Sequence, residues 1–265
     1  MVNWSEKKSY NCQDLMEIVR ILRHPGGCPW DQEQTHQSIR RNFLEEAYEA
    51  AEAIDRDDVE GLKEELGDVL LQVYFHTSLE EDAGRFSLDD VADGVCKKLV
   101  YRHPHVFGKV NVRSTEEVLT NWEELKKKEK HQDTQADAVD AVARTLPALW
   151  RAEKMKKKAA KAGFDWRDIT GALDKLSEEV EELRRAALER EGDPVEELGD
   201  VLFAAVCAAR FLEADPEEAL HAACEKFSAR FRRTEELAAQ RGWRLNELSD
   251  QEQTALWREA KEQLH

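Results

Sequence analysis

Apolar residues recur along the chain with helical spacing and almost nowhere with the alternation of strands. Leu15, Ile18, Val19 and Leu22 fall at i, i+3, i+4 and i+7, and the pattern stops at His24-Pro25-Gly26-Gly27. A second face runs through Ile39, Phe43, Ala47, Ala50 and Ile54 to the acidic turn Asp55-Arg56-Asp57-Asp58. A third uses Val59, Leu62, Leu66, Val69, Leu70 and Val73. Ser87 with Asp90, and Ser114 with Glu117, are spaced as capping boxes, which predicts helices opening at Leu88 and Thr115. No segment keeps a period of two over a useful length, so the expected fold is all-α.

The stretch from His131 to Asp140 is polar and short of large apolar residues, which makes it the natural linker. The expected division is a helical domain over 1–130, a linker over 131–143 and a second helical domain over 144–265. In the second, a helix from about Leu146 ends at Gly163, and Asp168 is placed to cap another with the apolar face Leu173, Leu176, Val180, Leu183 and Ala187. Gly192-Asp193-Pro194 and Asp215-Pro216 each join a capping Asp to a Pro at the first helical position. The helix after Pro216 carries Phe227 and Phe231, and Ser249 with Glu252 caps the last one.

A duplicated acidic pattern gives this architecture its chemistry. Glu45-Glu46-Ala47-Tyr48-Glu49 is followed by Glu65-Leu66-Gly67-Asp68, and Glu178-Glu179-Val180-Glu181-Glu182 by Glu197-Leu198-Gly199-Asp200. Residues three or four apart share a helix face, so two such helices packed together gather four carboxylates. That concentration of charge calls for a divalent cation, and oxygen ligands on rigid helices suit Mg²⁺, with Mn²⁺ as a substitute. Lys98 with Arg102 and then Trp122 follow the first set; Lys226 with Arg230 and then Trp257 follow the second. Any one element is commonplace in an acidic chain: EExxE is usually a solvated helix face, a basic pair often offsets nearby acids, and Trp is often core. Surface charge has no reason to keep register with a distant basic pair and Trp, and the repeated order therefore points to a site for a metal-bound polyphosphate with a base stacked on the indole.

Composition narrows the partners. The 265 residues are 36% charged with a net charge of -17, which argues against a general grip on nucleic acid or an anionic membrane. The first ten residues lack the apolar core of a secretory signal, and the longest apolar run, Val201 to Ala209, is about half of what a membrane-spanning helix needs. Five scattered cysteines without a CxxC pair fit reduced structural thiols, so the expected location is the cytoplasm.

These residues resemble the MazG family of nucleoside triphosphate pyrophosphohydrolases in its long, two-domain form. The likeness covers nearly the whole chain, through Gly27-Cys28-Pro29-Trp30-Asp31, Gln34-Thr35-His36, both acidic sets, Gly163-Phe164-Asp165-Trp166 and Lys226 to Arg230. It implies two tandem bundles of the all-α type, a homodimer, and Mg²⁺-dependent hydrolysis of NTPs and dNTPs to monophosphate and pyrophosphate with broad tolerance of the base. By position, Glu179, Glu182, Glu197 and Asp200 would hold metal in the second half, and Glu46, Glu49, Glu65 and Asp68 in the first. Glu178 and Glu45 are the candidate catalytic residues that orient or deprotonate water. Lys175, Lys226 and Arg230 would meet phosphates and Trp257 the base, with Lys98, Arg102 and Trp122 their first-half counterparts. The second half is the preferred catalyst because Lys154, Lys156, Lys157, Lys158 and Lys161 lie near it; Lys63, two residues before Glu65, weighs the other way. Open alternatives are a relative narrow for phosphoribosyl-ATP or dUTP, and a non-catalytic helical adaptor. A di-iron bundle needs Glu-x-x-His on its metal helices, a spacing found only outside the acidic motifs, at Glu33/His36, Glu218/His221 and Glu262/His265.

Overall fold

The structure, a computed structural model, describes residues 4–129 and 134–264 apart from the side chain of Lys127. Among the described residues there is no strand, as the periodicity predicts. The chain forms two compact units, Met1–Leu125 and Lys126–His265. His131 to Asp133, within the expected linker, lie outside the described residues.

The first unit contains α1 (Cys12–Arg23), α2 (Pro29–Glu33), α3 (Arg40–Asp55), α4 (Val59–Asp82), α5 (Leu88–Arg102), α6 (Pro104–Phe107) and the start of α7 (Thr115–Glu129). Asn11 caps α1 by accepting from the backbone N–H groups of Gln13 and Asp14, while the Asp14 carboxylate accepts from that of Asn11. Ser87 and Asp90 form the predicted box. At α7 the box is shifted: Ser114 accepts from the Glu117 N–H at 3.2 Å, but the Glu117 carboxylate turns to the Arg113 N–H at 2.8 Å.

The three residues 56–58 join α3 to α4 as a helical hairpin. Met16 and Val19 of α1 pack with Ile39, Tyr74 and Phe75 to make the core. Twelve residues of α1 reach about half as far as the 24 of α4, so α1 covers only one half of α4. Val59 and Leu66, expected inside, are therefore exposed, as is Ile54. Arg20 fastens α1 to α4 through a two-pronged bond to Glu81, 2.9 Å on each arm, and Arg23 reaches Asp82 at 2.8 Å.

The second unit contains α8 (Gln135–Asp140), α9 (Ala148–Lys161), α10 (Ile169–Glu189), α11 (Pro194–Phe211), α12 (Pro216–Gln240), a short 3₁₀ turn over Leu245–Glu247 and α13 (Asp250–Gln263). Part of the stretch expected as linker is thus α8, opened by a Thr134/Asp137 box and anchored by buried Ala138. Asp168, Asp193 and Asp215 cap α10, α11 and α12, and Ser249 with Glu252 boxes α13. The hairpin of α10 and α11 packs on α9, and α12 lies on α13 and α9. α10 buries Ala172, Glu179 and Ala186 and leaves Leu173 and Val180 about half exposed. On α11 the buried residues include Ala204 and Ala208, while Leu176 and Leu183 of α10 are partly covered.

Candidate active site

Each hairpin brings its acids together. In the first unit, oxygens of Glu46, Glu49 and Glu65 lie within 4.8 Å of one another; in the second, those of Glu179, Glu197 and Asp200 do the same. The fourth member of each set adds its charge: Asp68 acts on Glu46 and Glu65, and Glu182 on Glu197. This follows from spacing, since a three- or four-residue step turns two carboxylates to one side of each helix and the short turn sets the helices side by side.

Burial and crowding raise the proton affinity of Glu46, Glu65 and Glu197. Burial, then the charges of Asp68, Glu49 and Glu65, push the Glu46 carboxyl above its usual range, and a hydrogen bond with Glu49 forms when one of the two carries a proton. Glu65 is raised by burial and by Glu49 and Asp68. Glu197 is raised by burial and then by Glu182, Asp200 and Glu179. Glu179 is itself only 8% exposed. Like charges held this closely, with raised pKa in both copies, repel one another in a way that a divalent cation would relieve.

Glu45 and Glu178 stand at the rim. Arg41 donates to Glu45 at 2.7 Å, and Lys175 sits 2.8 Å from both Glu178 and Glu179, which hold its ammonium well above the ordinary lysine range. Lys175 therefore spans the candidate catalytic and metal-binding glutamates. The first unit carries Asn42 at the matching place, four residues before Glu46.

The Lys-Arg-Trp sets differ between the units. Phe227 and Phe231 of α12 stack with centroids 6.2 Å apart, and Trp257 of α13 lies 5.2 Å from Phe227. With Thr234, Leu245, Asn246 and Gln253 they line an open apolar cavity of about 500 Å³. Lys226, the residue before Phe227, is exposed, and Arg230, the residue before Phe231, is half-buried. In the first unit, the Arg102 guanidinium is buried and lies 5.2 Å above the Trp122 ring, and Lys98 is exposed beside Phe86 and Val95. No hydrogen bond or ion pair joins Lys226 or Arg230 to the acids of α10 and α11 among the described residues. Of this lining, sequence reasoning assigns only Trp257 to the site; Phe227 and Phe231 are placed on the helix after Pro216 without a role, although their i, i+4 spacing sets both rings on one face. The basic stretch of α9 is also partly spent on structure. Lys156 is buried, donating to the Phe164 carbonyl at 3.1 Å and lying 4.2 Å from the Trp166 ring centre, and Lys157 pairs with Glu153.

Comparison with known proteins agrees with this duplication. The MazG nucleotide pyrophosphohydrolase domain matches residues 34–107 and again 168–234, enclosing the two acidic hairpins. A nucleoside triphosphate pyrophosphohydrolase of Escherichia coli strain K12 is 41% identical over 253 residues, 94% of this chain and 96% of the relative. The nucleoside triphosphate pyrophosphohydrolase/pyrophosphatase MazG of Thermotoga maritima is 41% identical over 249 residues, 94% and 95% of the two chains. The Bacillus subtilis protein YabN is 48% identical over 247 residues, 92% of this chain and 50% of that one. With all-α hairpins, doubled acids and matches over both halves, the chain belongs to the MazG family of nucleotide pyrophosphohydrolases.

Proposed function

We propose that this enzyme hydrolyses ribo- and deoxyribonucleoside triphosphates to the monophosphate and pyrophosphate, requires Mg²⁺, tolerates all common bases and serves nucleotide-pool housekeeping or regulation. The observation that carries the reading is the carboxylate quartet, present twice. Its donors are all hard oxygens on rigid helices, and their mutual repulsion is relieved by a divalent cation, so the residues fit Mg²⁺. When bound, the ion supplies a more acidic water and offsets phosphate charge. Glu179, Glu182, Glu197 and Asp200 would hold it.

The remaining work falls to the chain's own side chains. A triphosphate arriving at the quartet competes for Lys175, which leaves Glu178 free to take a proton from the attacking water. Lys226 and Arg230 neutralise the polyphosphate tail. Trp257 and the two phenylalanines stack on the base, and a mostly apolar pocket reads little of its edge. In the first unit Arg102 already covers Trp122, which favours the second unit as the catalytic one.

A homodimer and a cytoplasmic location complete the proposal. The exposed Leu173, Val180, Leu198 and Leu202 beside the acids, with Leu220 on α12, are apolar side chains that a second copy would cover. No described helix is long and apolar enough to cross a membrane. The test is the product formed from each of the common ribo- and deoxyribonucleoside triphosphates. Pyrophosphate from all is expected. Orthophosphate, or strong selectivity for one nucleotide, would overturn the reading.

A further inference from the structure

The first unit also holds a polar cluster that the proposed reaction does not use. His36, in the segment between α2 and α3, meets His76 of α4 with the two Nδ1 atoms 2.7 Å apart. Their rings are parallel within 1°, and the edge of Phe43 from α3 closes on His76. His36 Nε2 lies 2.5 Å from Glu80, one turn further along α4, and Arg85 grips the same carboxylate through Nε and Nη2. Arg85 above all, then His36, pull Glu80 down to about 2. The carboxylate is therefore an acceptor at any working pH, and His36 Nε2 must be the donor.

Proton placement then follows. Two imidazole nitrogens this close need a hydrogen between them. With no extra proton, His76 Nδ1 donates to His36 Nδ1. With one extra proton the pair still shares a single bridging hydrogen. With two, both Nδ1 atoms carry hydrogen and the contact cannot persist. Surrounding charges offer no relief: on α1, Arg20 is engaged by Glu81, and Arg23 and His24 by Asp82; on α3, Arg40 is exposed and Arg41 is held by Glu45. Among the described residues neither Asp31 nor Glu33 of α2 bonds to either imidazole, and Glu80 is the sole carboxylate bonded to the pair.

We propose that His36, His76 and Glu80 form a proton-sensitive latch that fastens the 34–39 segment and the entry of α3 to α4, and that opens when the imidazole pair takes up its second proton. α3 carries Glu46 and Glu49, so the latch steadies the helix on which half of the first quartet stands. Burial, and then His36, hold the His76 pKa below the ordinary 6.5. In an unfolded chain the two imidazoles protonate independently, whereas the folded pair cannot hold both protons with the Nδ1 contact intact, so the stabilisation is full above about 6.5 and is lost as pH falls below the imidazole range.

Backbone hydrogen exchange of the full chain, followed by mass spectrometry and corrected for the intrinsic effect of pH, tests this. Between about pH 7.5 and about pH 5, protection over residues 35–43 should fall at least about tenfold while α9 stays level. His76→Asn keeps a polar contact but cannot gain charge, and its protection should stay level with pH. His36→Phe should be weakly protected at both. Unchanged protection in the unsubstituted protein, an equal fall in α9, or an undiminished pH response in His76→Asn would each overturn the latch.

Discussion

Glu179→Gln is expected to slow pyrophosphate release by at least about 10³-fold, because losing one metal-holding charge removes several kcal/mol of transition-state stabilisation. The amide matches the carboxylate in size, so the change is electrostatic. Glu46→Gln should leave the rate within a few-fold. The asymmetry rests on three differences between the units: Lys175 bridges the acids only in the second, the aromatic cavity is open there, and Arg102 lies on Trp122 in the first. Lys63, the residue that favoured the first unit on sequence, pairs with Glu60 at 3.3 Å on the exposed side of α4. Steady-state rates of the two variants decide, and equal losses would contradict the assignment.

The second large effect is expected at Trp257. Loss of base stacking on this ring costs about 1–3 kcal/mol, so Trp257→Ala should raise KM by roughly 5- to 150-fold while kcat changes little. Trp122→Ala should leave KM alone and lower stability, because its ring supports the buried Arg102. Initial rates across substrate concentration separate these outcomes. A fall in kcat with unchanged KM for Trp257→Ala would move the base elsewhere.

Local chemistry made much of this legible beforehand. The caps at Asp168, Asp193, Asp215 and Ser249 stand where the sequence puts them, because a cap needs only a side chain and the next few N–H groups. The quartets were legible for the same reason: a helix turn fixes which acids are neighbours, and a short loop fixes the pairing. The choice of buried face was not. Leu173 and Val180 fit a core face by spacing, but the fold buries Ala172 and Ala186 instead, and which face is covered is a tertiary outcome. Val59 and Leu66 failed as core for want of a cover, α1 being too short. The different fates of Trp122 and Trp257 depend on where one guanidinium and two phenyl rings settle. The His36–His76 contact joins residues 40 apart, and no local pattern announces it.

Closure of each set of acids on one divalent ion that receives a triphosphate is open to direct measurement. Its most direct test is the melting temperature of the full chain with a non-hydrolysable nucleoside triphosphate, with and without Mg²⁺. A clear rise is expected only when both are present, equivalent to about 2.7 kcal/mol at 100 times Kd, and it should be lost when Glu46 and Glu179 are both changed to Gln. A rise of the same size without Mg²⁺, or one undiminished in the double variant, would contradict it.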